Sequence, residues 1–154
     1  MDLCFAADRT LGKLAKWLRI LGFDTLYESD ISSSWFYEHL GPDRILLTRT
    51  EKIREGFAAQ RLVFVNPDQP LEQLRQVITE TGITEDDVRL FFRCIRCNIP
   101  IAPIDKEDVF GLVPDYTWET HSDFQICRRC ERIYWKGSHW ERSLERVDKL
   151  FSPD

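Results

Sequence analysis

Four of the five cysteines fall into two C-x-x-C pairs, Cys94-Ile-Arg-Cys97 and Cys127-Arg-Arg-Cys130, with 29 residues between them. No other feature constrains the fold as strongly. A two-residue spacer lets both sulfurs of a pair turn toward one ion, and two such turns close a tetrahedron of thiolates at ~2.3 Å around Zn2+. The spacing predicts a zinc ion on Cys94, Cys97, Cys127 and Cys130, with iron as the alternative occupant. A pair of dithiol redox motifs is the runner-up, but neither pair has the strand-to-helix setting of such a motif. Four thiolates leave no open coordination position, so the expected role is structural. Cys4, inside the apolar run LCFAA, reads as a small buried hydrophobe.

Composition limits the rest. The chain has 154 residues, enough for one domain or one with a small appendage, and 43% are apolar, enough for a real core. No apolar run approaches the ~18 residues of a membrane span. The start, MDLCFAADRT, lacks the pattern of a secretory leader, so a cytoplasmic protein is expected. The formal charge of −5 argues against a bulk polyanion binder, so any nucleic-acid contact has to come from local patches.

The pattern changes near residues 88–92, predicting units at 1–90 and 91–154. The first reads as alternating strands and helices. Leu3 to Ala7, Phe23 to Tyr27, Arg44 to Thr48 and Leu62 to Val65 are short apolar strands. Between them, helices are expected over Thr10–Leu21 (Thr10 as N-cap), Ser32–Leu40 (capped by Asp30) and Glu51–Ala59 (capped by Thr50), with another over Leu71–Thr81. Strands alternating with helices imply an α/β fold with a parallel sheet. The second unit holds both cysteine pairs and ends in a helix over Ser138–Phe151.

Two groups of residues point to chemistry. Open parallel sheets bind ligands beyond the carboxyl ends of their strands. Asp8, Glu28, Asp30, Thr48, Arg49, Thr50, Glu51, Asn66 and Asp68 follow strands in this chain. Converging carboxylates there would suit Mg2+ or Mn2+, which take hard oxygen ligands. Each acid also has a local reading as a cap or turn residue, Asp8 least obviously. The second group is cationic. Arg9, Lys13, Lys16 and Trp17 share roughly one face of the first helix, which carries no acid. Around the cysteines lie Arg93, Arg96, Arg128, Arg129, Arg132 and Lys136, interleaved with Phe91, Phe92, Tyr134 and Trp135. Arginine pairs with phosphate and aromatic rings stack on unpaired bases. The plainer alternative is that the aromatics form the ribbon's core and the arginines offset thiolate charge.

At these residues the sequence resembles the Mut-seven C-terminal RNase domain family. The resemblance lies in ADRTLGKLAKWLRILGFDT (7–25), ILLTRT (45–50), CIRC, THSDF (120–124) and CRRCERIYWKGSHWER (127–142). It implies a PIN-like three-layer α/β/α sandwich followed by a four-cysteine zinc ribbon, and action on RNA. By position, Asp8 matches the acid after the family's first strand, Lys13, Lys16 and Arg19 match its basic helix positions, and the four cysteines match its ribbon ligands. Where the family usually reads L-L-T-R-D, this chain has Thr50, which supplies no charge to a cation.

The resulting expectation is a metal-dependent ribonuclease that hydrolyses phosphodiester bonds. Asp8 would be the principal Mg2+ or Mn2+ ligand, assisted by Asp30 and by Glu51 or Asp68. Arg9, Lys13, Lys16, Arg19, Arg49, Arg96, Arg128 and Arg129 would hold RNA. The alternative is an RNA-binding module with weak or no catalysis, which Thr50 favours. A third reading is recruitment of a protein partner by the aromatic ribbon.

Overall fold

The computed structural model describes residues 2–152. Four parallel strands, β1 (Cys4–Ala7), β2 (Asp24–Tyr27), β3 (Arg44–Thr48) and β4 (Leu62–Phe64), form a sheet in the order β2-β1-β3-β4. Successive strand residues face opposite sides. Phe5, Ala7, Ile45 and Leu47 therefore point one way, into a core shared with Leu14 and Leu18 of helix α1 (Gly12–Ile20) and Leu74 and Val77 of α4 (Pro70–Thr81). Ala6 and Leu46 point the other way, onto Phe36 and Leu40. The helices on that side are α2 (Ser33–Glu38) and α3 (Glu51–Gly56). The result is the α/β/α arrangement expected, with both faces of the sheet covered.

The helix starts differ from expectation. A 3-10 turn over Arg9–Leu11 precedes α1, and its N-cap is Asp8, not Thr10, because the Asp8 carboxylate accepts from the Thr10 amide. Ser32, not Asp30, caps α2 by accepting from the Trp35 amide. Thr50 stands at the N-cap of α3 but makes no side-chain cap bond.

Past α4 the chain turns back over the end of α1. Arg89 and Phe91 donate their amides to the carbonyls of Leu21 and Ile20. Gly22 (φ +98°) permits this approach: a Cβ there would lie 2.6 Å from the Arg89 carbonyl oxygen. The remainder builds an antiparallel sheet from β5 (Ala102–Ile104), β6 (Phe124–Ile126) and β7 (Ile133–Tyr134). Short helices α5 (Lys106–Val109) and α6 (Asp115–Thr120) lie between β5 and β6. The last helix, α7 (Ser138–Phe151), follows the ribbon in sequence but buries Val147 and Leu150 in the core of the parallel sheet.

Both outer strands of the parallel sheet meet amide side chains. On β4, Gln76 donates to the Phe64 carbonyl at 2.8 Å and accepts from the Asn66 amide at 2.9 Å, as a neighbouring strand would. On β2, Asn98 accepts from the Thr25 amide at 2.9 Å. These contacts satisfy edge groups that would otherwise invite pairing with another chain.

Candidate functional site

Two centres stand out. The first is the carboxyl rim of the parallel sheet. The register pairs Ala7 with Tyr27, so Asp8 and Glu28 leave adjacent strands side by side. Asp8 is fully buried. One oxygen accepts from the Thr10 amide at 2.8 Å and the Thr10 hydroxyl at 2.5 Å, and the other accepts from the Thr48 hydroxyl at 2.5 Å. The Thr48 oxygen in turn accepts from the Thr50 amide. Glu28 is almost as buried, and its carboxylate accepts from the Arg9 amide and guanidinium, Ser33 Oγ and Tyr37 Oη. Burial would raise its pKa, but these donors outweigh that and hold it below the usual glutamate range.

The other acids named from sequence stand apart from this pair, each with an arginine. Asp30 pairs with Arg19 at 3.0 Å, Asp68 with Arg49 at 2.6 Å, and Glu51 with Arg54 at 3.4 Å. Among the described residues, the acids of the rim do not gather three donor groups around one point. As arranged, this edge does not fit the multi-oxygen cage of Mg2+ or Mn2+. From sequence alone Glu28 is one of several strand-end acids, and Asp30 is the one expected to assist Asp8. Strand register was the available signal, since the residue after β2 must sit beside the residue after β1.

The second centre is the cysteine cluster. The four Sγ atoms lie within 4.8 Å of one another, and Cys94 and Cys130 Sγ are 3.8 Å apart. Tetrahedral thiolates at ~2.3 Å from one ion require an edge of roughly 3.8 Å, so this donor set fits a metal. The two turns are built alike. Cys94 and Cys127 donate their amides to the carbonyls of Ile99 and Arg132, and accept at their carbonyls from the amides of Asn98 and Glu131. Asn98 and Glu131 both adopt left-handed backbone, at φ +67° and +64°.

The sulfurs are not electrostatically equal. Burial opposes ionisation of Cys94. The Tyr134 hydroxyl and the backbone amides of Cys97 and Arg96 overcome that, and its pKa falls to about 7. Cys97 is pushed up to about 12, by burial first and then by its sulfur neighbours.

The Mut7-C RNAse domain model matches residues 4–147. The chain belongs to that family. No curated protein and no solved structure matches it.

Within this Mut7-C chain the cations divide into two sets. Arg19 is buried and fully engaged: it donates to the carbonyls of Thr25, Ile95 and Arg96 and to Asp30. Arg9 reaches solvent but grips Glu28, and Arg49 grips Asp68. Lys13, Lys16, Arg96, Arg128 and Arg129 are exposed. None of the ion pairs among the described residues involves them. Lys13 and Lys16 stand one turn apart on α1. The Arg19 bonds bring the backbone of Arg96 to the same helix. Exposed cations thus occur both on α1 and in the first cysteine turn, which Arg19 ties together. The aromatics near the cysteines divide as well: Phe92 is exposed, whereas the hydroxyl of half-buried Tyr134 bonds Cys94.

Proposed function

We propose that this Mut7-C protein acts on RNA chiefly as a binding module, with weak or no phosphodiester cleavage. Membership in an RNAse-domain family points to nuclease-like function, and the exposed, ion-pair-free cations Lys13 and Lys16 on α1, Arg96 in the first cysteine turn and Arg128 and Arg129 in the second would supply phosphate contacts. The observation that carries the weak-catalysis half is Asp8, buried with both oxygens occupied by Thr10 and Thr48. Thr50, in place of the family's acid, removes a further charge from that edge. The four-cysteine centre is assigned to structural Zn2+, the chain to two units meeting near residue 90, and the protein to the cytoplasm. Among the described residues no helix is long and apolar enough to cross a membrane.

Metal-dependent hydrolysis is the second reading, and the adjacency of Asp8 and Glu28 favours it. It requires the threonine hydroxyls to give way to Mg2+ or Mn2+ at Asp8. It would also require Asp30, Glu51 or Asp68 to leave its arginine if that acid is to assist.

The test is incubation of the pure protein with single-stranded and structured RNA, in Mn2+ or EDTA, beside an Asp8→Asn variant. Retention of RNA with little or no cleavage supports the binding module. Robust cleavage that needs both Mn2+ and Asp8 establishes the second reading instead. Failure to retain either RNA at low salt, where phosphate binding is strongest, overturns both. The exposed Phe110, Leu112 and Tyr116 would then argue for a protein partner.

A further inference from the structure

The cysteine cluster has a fifth participant outside the C-x-x-C pattern. Tyr134 lies on β7, just past the second cysteine turn, yet its side chain reaches across to the first. Its hydroxyl donates to Cys94 Sγ at 3.1 Å and accepts from the Ile95 amide at 3.2 Å. The residue is fixed at backbone and ring: β7 pairs Tyr134 with Gln125 of β6, and the Arg132 guanidinium lies 5.7 Å from the ring centroid. The hydroxyl thus has one donor and one acceptor partner, both from the opposite cysteine turn, and little freedom to rotate away.

A thiolate bound to zinc keeps lone pairs that repel those of its three neighbours. A hydrogen bond to such a sulfur disperses its charge and fixes its direction toward the ion, and outer partners of this kind commonly govern how firmly a metal is retained. Cys94 also accepts from the Cys97 amide at 3.4 Å, within its own turn. The Tyr134 bond is different in kind, because it ties the sulfur of one turn to the strand that follows the other. It therefore closes the centre mechanically as well as electrostatically.

We propose that Tyr134 is a positioning residue of the metal centre: its hydroxyl orients the Cys94 thiolate and locks the two cysteine turns together, slowing metal loss. This rests on the zinc assignment above. It predicts that the para-hydroxyl, and not the ring, matters. Tyr134→Phe keeps the apolar packing and removes only the bond.

The full-length chain, wild type and Tyr134→Phe, is loaded with Zn2+ and challenged with excess chelator. Equal initial metal content with loss about 10-fold or more faster in the variant is the expected result. With Co2+ in place of Zn2+, the sulfur-to-metal charge-transfer band of the variant moves to lower energy, since an unbonded thiolate is more electron-rich. Equal release rates and superimposable Co2+ spectra overturn the role of Tyr134 and leave the zinc assignment standing. Absence of bound metal in the wild type overturns both. A measurement on the wild type alone covers a variant that fails to fold. In the cadmium-loaded protein the Tyr134 hydroxyl proton exchanges slowly and couples through its hydrogen bond to the cadmium nucleus. A fast-exchanging, uncoupled hydroxyl overturns the proposal.

Discussion

The guanidinium of Arg19, on the first helix, donates to the carbonyl of Ile95 at 3.0 Å, inside the first cysteine turn. The same side chain holds the Thr25 carbonyl on β2 and the Asp30 carboxylate. One residue thereby joins the parallel sheet, the rim and the ribbon. Its donors form a planar fork that a lysine ammonium cannot reproduce. Arg19→Met leaves buried carbonyls without partners and is expected to cost about 3 kcal/mol or more. Arg19→Lys recovers only part of this. Urea unfolding checks both, and a midpoint equal to wild type for the methionine variant would contradict the arrangement.

Glu28 should make stability depend on pH. Burial opposes its ionisation, but bonds from Ser33, Arg9 and Tyr37 hold its folded pKa below the unfolded value of about 4.3. A group depressed in this way contributes stability above its unfolded pKa and loses it as pH falls through the folded one. Glu28→Gln is therefore less stable than wild type at pH ~7, and the gap narrows on acidification below about 4.3. Thermal melts across that range decide it. A gap unchanged by pH would mean that the Glu28 charge is not what stabilises the fold.

Thr50→Asp restores the family's usual acid. At the N-cap of α3, where Thr50 makes no cap bond, an aspartate is expected to add roughly 0.5–1 kcal/mol of stability. It also adds a carboxylate to the rim that holds Asp8 and Glu28, so Mn2+ affinity should rise. Calorimetric titration reads this directly. Greater stability without tighter Mn2+ would leave the rim a structural edge.

Lys16→Glu and Arg129→Glu should each weaken RNA binding without lowering the melting temperature, since both residues are exposed. If each contacts a single-strand phosphate, the slope of log K against log salt becomes shallower by roughly 0.7 per lost contact. Affinity measured at several salt concentrations distinguishes this from a folding defect. An unchanged slope in both variants removes them from the interface.

The strands and helices of the parallel-sheet unit and the last helix were readable along the chain because their signals are local, whereas β5, α5 and α6 carried too short a pattern to be read. Apolar spacing marked the helices, apolar runs marked the strands, and the two C-x-x-C pairs announced the four-cysteine cluster that the folded chain assembles. Boundaries and caps were less readable. Thr10, Asp30 and Thr50 are all good capping types, but Asp8 reaches the Thr10 amide, Ser32 reaches the Trp35 amide while Asp30 pairs with Arg19, and Thr50 makes no cap bond.

What no local pattern carried was partnership at a distance. Thr48 meets Asp8 across 40 positions of sequence, and Tyr134 reaches Cys94 across the same separation. Arg19 looked like a cation for RNA and became a buried brace, because the returning chain set two carbonyls against it. Helical and strand periodicity require only a residue's own neighbours in sequence. A carboxylate's charge state and accessibility depend instead on donors delivered by other strands, and only the register of the folded sheet delivers them.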